Sequence, residues 1–126
     1  MPHSNNAPTV LIAEDDYVNL RLMERILKKE NLSTCFANNG QEAVSMVENH
    51  PEINLVLMDI EMPVMNGYDA TRQIKQLRPE LPVIAHTAFS SREDKEKALE
   101  TGCTNFITMP IKKRELLELV QSLLLK

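Results

Sequence analysis

"LVLMDIEMPVMNG", residues 55–67, is an apolar run that ends on an acid and then breaks into a loop punctuated by Pro63 and Gly67. Leu55-Val56-Leu57-Met58 is short and apolar at every position, as expected of a strand covered on both faces, and Asp59 closes it. Pro63 and Gly67 suit loop and helix-start geometry, and a helical segment over 67–77 follows. The same strand–helix unit recurs on either side. Residues 9–13, 34–37, 82–85 and 106–108 are further strand candidates, and the segments from Tyr17 and over 41–49, 90–100 and the C-terminal stretch are helix candidates. In the first helix Val18, Leu22 and Ile26 form an apolar stripe, as do Leu116, Val120, Leu123 and Leu124 in the last. Pro51 and Pro79 stand just past two helix ends as stop signals. Strict alternation of strands and helices predicts a parallel sheet with right-handed crossovers and helices on both faces, a doubly wound α/β sandwich.

The chain of 126 residues fits one domain, expected over 7–126 behind a loose tail of residues 1–6. An apolar content of 43% and a charged content of 25% are those of a soluble globular protein. A net charge of -4 without a basic stripe argues against direct nucleic-acid binding. No apolar run approaches a membrane span and the first residues lack a signal peptide's apolar stretch, so no membrane partner and a cytoplasmic location are expected. Cys35 and Cys103 fit neither a metal spacing nor a disulfide framework and read as small core residues.

The helix over 90–100 has few apolar anchors beyond Ala98 and Leu99, with Ser90 and Glu93 as a capping box. Weak docking of this kind marks either a mobile surface or a plain solvated helix.

Ligands of open α/β sheets sit outside the carboxyl ends of the strands. Those ends carry Glu14-Asp15-Asp16, Asp59, Thr87 and Met109. With the first and third strands as neighbours, about 4.8 Å apart, Glu14, Asp15 and Asp59 share one cleft. Carboxylates so close must protonate or bind a cation, and hard oxygens with room for water suit Mg²⁺. A single Asp at a strand end is most simply a turn former; two acid-terminated apolar strands favour a site, where an Asp beside Mg²⁺ is placed to accept a phosphoryl group. Thr87 adds a hydroxyl for a phosphoryl oxygen.

Val10-Leu11-Ile12-Ala13-Glu14-Asp15-Asp16, the run from Leu55 to Gly67, and Pro82-Val83-Ile84-Ala85-His86-Thr87-Ala88 strongly resemble the receiver domain of two-component response regulators, most of all receivers of hybrid histidine kinases and phosphorelays. The resemblance covers nearly the whole chain. It implies a flavodoxin-like (βα)5 sandwich with strand order 2-1-3-4-5, which puts Cys35 and Cys103 at least about 15 Å apart, beyond disulfide reach. It implies that Asp59 takes a phosphoryl group from a phosphohistidine on a histidine kinase or histidine phosphotransfer protein. Glu14, Asp15, Asp59 and the backbone carbonyl of Glu61 would hold Mg²⁺, with Mn²⁺ as a substitute. Thr87 and Phe106 would form the switch, Glu61 and Phe89 would tune the lifetime of the acyl phosphate, and the face of the fourth helix, fifth strand and last helix would serve a homodimer. Leu117, Leu124 and Leu125 extend beyond the core stripe of that last helix, as a modest partner surface or as part of a broadly buried helix. No enzyme activity is implied beyond self-directed phosphoryl transfer and autodephosphorylation.

The pattern breaks at Met109, where the family carries lysine before Pro110. Methionine matches lysine in length but removes a point charge and its donors. Divalent binding should then be equal or tighter, and phosphoryl transfer slower by roughly a hundredfold. Lys112 and Lys113 are expected in solvent or at the start of the last helix. His86, one residue before Thr87, is expected to point away from the acceptor side, and Met58, Met62, Met65 and Met109 read as packing. The alternative function is a phosphorylation-independent docking module that keeps the fold. A haloacid-dehalogenase-like phosphatase lacks support because the first strand has no Asp-x-Asp and there is no cap. A flavin carrier is disfavoured by an acidic first loop and the lack of tryptophan.

Overall fold

The computed structural model describes residues 7–88 and 91–124. Ten elements alternate: β1 Thr9–Ala13, α1 Tyr17–Lys28, β2 Ser33–Ala37, α2 Gly40–Asn49, β3 Ile53–Asp59, α3 Gly67–Leu77, β4 Val83–Thr87, α4 Arg92–Glu100, β5 Asn105–Thr108 and α5 Lys113–Leu124. The five strands form one sheet in the order β2-β1-β3-β4-β5, with all four pairings parallel. The predicted fold class is therefore the one observed.

Strand side chains alternate between two apolar layers. Val10, Ile12, Leu55, Leu57, Ile84 and Ile107 face α1 and α5, while Leu11, Ala13, Val56, Met58, Val83 and Ala85 face α2, α3 and α4. The central strands are apolar at both parities because both faces are covered. Side-chain oxygens cap four helices: Asp16 accepts from the amides of Val18 and Asn19, Asn39 from Glu42, Asn66 from Asp69 and Ser91 from Asp94. The free thiols stand near opposite edges of the sheet, Cys35 on β2 and the buried Cys103 just before β5.

Two expectations need correction, and a third is decided between its alternatives. In α1, Val18 is 72% and Leu22 is 41% exposed, and the buried stripe is Leu20, Met23, Ile26 and Leu27. That helix carries two apolar stripes, and the one with the larger run of neighbours turns inward. The cap of α4 is Ser91 with Asp94, at 3.1 Å from the Asp94 amide, and not Ser90 with Glu93; Ser90 lies outside the described residues. On α5, Leu117 and Leu124 pack half-buried against the β-sheet layer, which is the broadly buried alternative for that helix, and Leu125 lies outside the described residues. Helix α4 is as weakly anchored as its composition predicts: Ala98 is its buried residue and Leu99 is 55% exposed. No described helix is long and apolar enough to cross a membrane. The tail 1–6 lies outside the described residues.

Candidate functional site

A cleft of about 220 Å³ opens at the carboxyl ends of β1, β3, β4 and β5. Glu14, Asp15, Asp59, Glu61, Thr87 and Met109 line it, so the sequence-predicted acids, the threonine and the methionine meet in one place. Asn19 and His86 line it as well.

Register explains the convergence. Ile12 pairs with Leu57 and Leu57 with Ile84, so two residues further along, Glu14, Asp59 and His86 fall in one row on the α1–α5 side of the sheet. Asp59 and His86 are themselves register partners. Glu14 is 3% and Asp59 is 9% exposed, whereas Asp15 and Glu61 stand exposed at the mouth. The Asp59 carboxylate is fixed by the Glu61 N–H, which donates to Oδ1 at 3.0 Å. The Asp16 N–H donates to Glu14 Oε2 at 3.1 Å, orienting the second acid. Gly67 completes the support: a Cβ there would collide with the Asp59 backbone carbonyl, and the Gly67 N–H donates to the Ile60 carbonyl at 2.9 Å. The loop can close over the end of β3 only with glycine at that point.

Burial dominates the electrostatics. It pushes the Glu14 carboxyl up to about 8, helped by a side-chain hydrogen bond to Asp59 and by the Asp59 charge. Asp59 is pushed up to about 6, again chiefly by burial, with the hydrogen bonds from Glu14 and from the Glu61 N–H working the other way. Burial and crowding thus favour a protonated carboxyl in the pair, and the two acids titrate together. This is the protonation that crowded acids adopt in place of a cation.

His86 is the residue misjudged from sequence. It does not point away: its ring is 2% exposed, its Nδ1 lies 3.6 Å from Glu14 Oε1, and burial lowers it to about 4, keeping it neutral. Strand alternation does separate His86 from Thr87, but the cleft lies beyond the strand tips and takes side chains of both parities. The sequence signal is partial: Asp59 and His86 each lie two residues on from the apolar positions Leu57 and Ile84, but the register that sets them side by side is seen only in the structure.

Thr87 is 3% exposed and borders both this cleft and a neighbouring pocket lined by Tyr68, Asp94 and Lys97. In that pocket Tyr68 Oη donates to the Asp94 carbonyl at 3.4 Å and the Lys97 ammonium stands 4.5 Å from the Tyr68 ring centre. Phe106 is half-buried against the layer facing α2 to α4. The half-buried Met109 follows β5, its N–H donating to the Thr87 carbonyl at 2.8 Å. Lys112 and Lys113 are exposed, Lys113 opening α5. Phe89 lies outside the described residues.

A sequence model of the family "Response regulator receiver domain" matches residues 10–121. The chain is 40% identical over 92 residues to the autoinducer 1 sensor kinase/phosphatase LuxN of Vibrio campbellii, covering 72% of this chain and 11% of that protein. Such relatives are far longer than the stretch matched. Among solved structures, the receiver domain of sensor histidine kinase PA1611 from Pseudomonas aeruginosa, with magnesium in its active-site cleft, superposes with a TM-score of 0.88 at 30% identity, covering 95% of this chain and 99% of that one. The receiver domain of Saccharomyces cerevisiae Ssk1, crystallised with the histidine phosphotransfer protein Ypd1, gives 0.86 at 30% identity, covering 93% and 88%.

Proposed function

The chain belongs to the response regulator receiver family, and on that premise we propose that it is a Mg²⁺-dependent phosphoacceptor that takes a phosphoryl group onto Asp59 from a phosphohistidine partner. The observation that carries this reading is the Asp59 carboxylate, tied through Oδ1 to the Glu61 N–H at 3.0 Å at the base of an acid-lined cleft.

The residues suit the cation. Two buried, crowded carboxyls are hard oxygen donors of the kind that Mg²⁺ takes, with Asp15 and Glu61 at the mouth. Glu14, Asp15, Asp59 and the Glu61 carbonyl would hold it, and Mn²⁺, which accepts the same oxygen donors, would substitute. When bound, Mg²⁺ neutralises charge on the transferring phosphoryl group. Asp59 supplies the nucleophilic oxygen: its O–P bond forms as the N–P bond of the phosphohistidine breaks, and the electron pair returns to the donor imidazole. Holding Oδ1 on the Glu61 amide leaves the other oxygen for this attack. Thr87, at the border of the cleft and the Tyr68–Lys97 pocket, is placed to bind a phosphoryl oxygen and to pass the change toward α4, with Phe106 as its companion switch residue. Glu61 and Phe89 would set water access to the acyl phosphate.

The partner is a histidine kinase or a phosphotransfer protein, as Ypd1 is for Ssk1. Leu99, 55% exposed on α4, gives the α4–β5–α5 face an apolar element for a homodimer. A second reading, a docking module that needs no phosphorylation, is favoured by one observation: Met109 brings no positive charge to the cleft wall.

Intact-mass measurement after incubation with Mg²⁺ and a small phosphodonor separates the two. One phosphoryl adduct on the wild type and none on Asp59→Asn is expected. No adduct on protein shown to bind Mg²⁺ leaves the docking module.

A further inference from the structure

We propose that His86 makes the cleft a three-ligand site for a Zn²⁺-class ion, with one imidazole nitrogen and one oxygen each from Glu14 and Asp59. The inference rests on the reading of the cleft as a cation site, but it adds a ligand that Mg²⁺ binding does not use.

Among the described residues, Glu14, Asp59 and His86 are the group of metal-ligating side chains brought together in this way, with one donor atom from each lying within 4.8 Å of the others. All three are buried and come from β4, the end of β3 and the residue following β1, in one row of the sheet. The 3.6 Å from His86 Nδ1 to Glu14 Oε1 is too long for a hydrogen bond. It is near the donor-to-donor edge, about 3.4 Å, of a tetrahedron with bonds of 2.0–2.1 Å. Nδ1 is the nitrogen that faces Glu14, and Nε2, on the other side of the ring, is buried with no hydrogen-bond partner among the described residues. A structural histidine that is 98% buried ordinarily has both ring nitrogens hydrogen-bonded; the Nδ1 of this one turns instead to the Glu14 carboxyl.

The donor set selects the ion. Mg²⁺ keeps to oxygen and water, whereas imidazole suits Zn²⁺, and two carboxylates with one histidine leave a fourth position open. The cleft has room for a water there. Met109 on its wall carries no cation to oppose the incoming ion. Zn²⁺ and Mg²⁺ therefore compete for Glu14 and Asp59, and His86 decides in favour of Zn²⁺.

The test is calorimetric titration of the full chain with Zn²⁺ and, separately, Mg²⁺, for wild type, His86→Leu and His86→Gln. Co²⁺ absorption in the visible range serves as a readout of nitrogen in a four-coordinate shell, and circular dichroism checks folding. Wild type is expected to bind Zn²⁺ at least about tenfold more tightly than Mg²⁺. Both substitutions should lose at least about tenfold in Zn²⁺ affinity and the intense Co²⁺ bands, while Mg²⁺ affinity stays within about threefold. Two variants guard against the apolar one misfolding. Zn²⁺ affinity that survives both folded variants overturns the inference, because the ion then sits elsewhere, as does Zn²⁺ binding no tighter than Mg²⁺. Those results leave Mg²⁺ binding and Asp59 phosphorylation untouched, whereas loss of Mg²⁺ binding at Glu14 and Asp59 would overturn the reading of the cleft itself.

Discussion

The tips of β3 and β5 border the same cleft, yet they contribute to it differently. At β3 the Asp59 carboxylate is fixed by the Glu61 amide, the following loop is pressed onto the Asp59 carbonyl through Gly67, and the Ile60 N–H is held by the His86 carbonyl at 3.1 Å. At β5 the backbone is equally well paired, Met109 N–H to the Thr87 carbonyl at 2.8 Å, but its side chain ends in a thioether. Position is retained at both tips; charge is present at one. The difference teaches that the geometry of such a cleft is set by strand register and glycine-permitted closure, while its electrostatics depend on a few side chains that can change without disturbing the frame.

Breaking the β3 side has the largest expected effect. Asp59→Asn should abolish the phosphoryl adduct by intact mass and at the same time stabilise the metal-free protein by on the order of 1–2 kcal/mol in chemical denaturation. The amide keeps an acceptor for the Glu61 N–H but carries no buried charge. A variant less stable than wild type would mean that the acid pair is not strained.

The β5 side is sharpened by Met109→Lys. Restoring a cation beside the acids should speed phosphorylation by up to about a hundredfold and weaken Mg²⁺ binding. Rapid-quench phosphorylation and Mg²⁺ titration read the two effects, and an unchanged rate would show that Thr87 or the metal already supplies what lysine gives.

Gly67→Ala attacks the frame rather than the charge. The methyl group meets the Asp59 carbonyl, so a loss of about 1–3 kcal/mol is expected in denaturant unfolding. The equivalent step at the β5 tip, Met109→Leu, should cost less than about 1.5 kcal/mol. Equal losses would deny that the β3 loop is the more tightly constrained.

The pH profile sharpens the electrostatic side of the comparison. Glu14 is raised from 4.5 to about 8 and Asp59 from 3.8 to about 6, so the folded state holds protons that the unfolded state releases. Their contribution to stability is complete below about 4 and is lost as pH rises through the raised values. His86, lowered from 6.5 to about 4, acts in the opposite sense: its contribution is complete above 6.5 and is lost as pH falls through 4. Between pH 6.5 and 8 His86 no longer titrates and the acid pair gives up its last proton, so metal-free stability should fall by up to about 2 kcal/mol. Saturating Mg²⁺ should flatten that slope in thermal melts, since the ion replaces the proton; a flat metal-free profile would contradict the raised carboxyls.

Much of this was legible in the sequence because the physics is local. Short apolar runs closed by acids gave the strands and the cleft, and parallel order followed from alternation. What was not legible depends on choices made between elements. Helix α1 offers two stripes, and only packing selects Leu20, Met23 and Leu27 over Val18 and Leu22. Adjacent serines 90 and 91 are equivalent cap candidates until the helix start is fixed by the chain's path. His86 was misread because alternation was applied to the body of β4, whereas the site lies past its tip. Register, which a single strand does not reveal, puts it beside Asp59.

The most direct test of the central claim uses a phosphotransfer protein phosphorylated on its histidine, mixed with this chain in the presence of Mg²⁺. The account predicts that phosphoryl label moves to the wild-type chain, does not move to Asp59→Asn, and is not transferred when the divalent ion is chelated. Label that remains on the donor with Mg²⁺-bound wild-type protein, or that moves equally to Asp59→Asn, would contradict it.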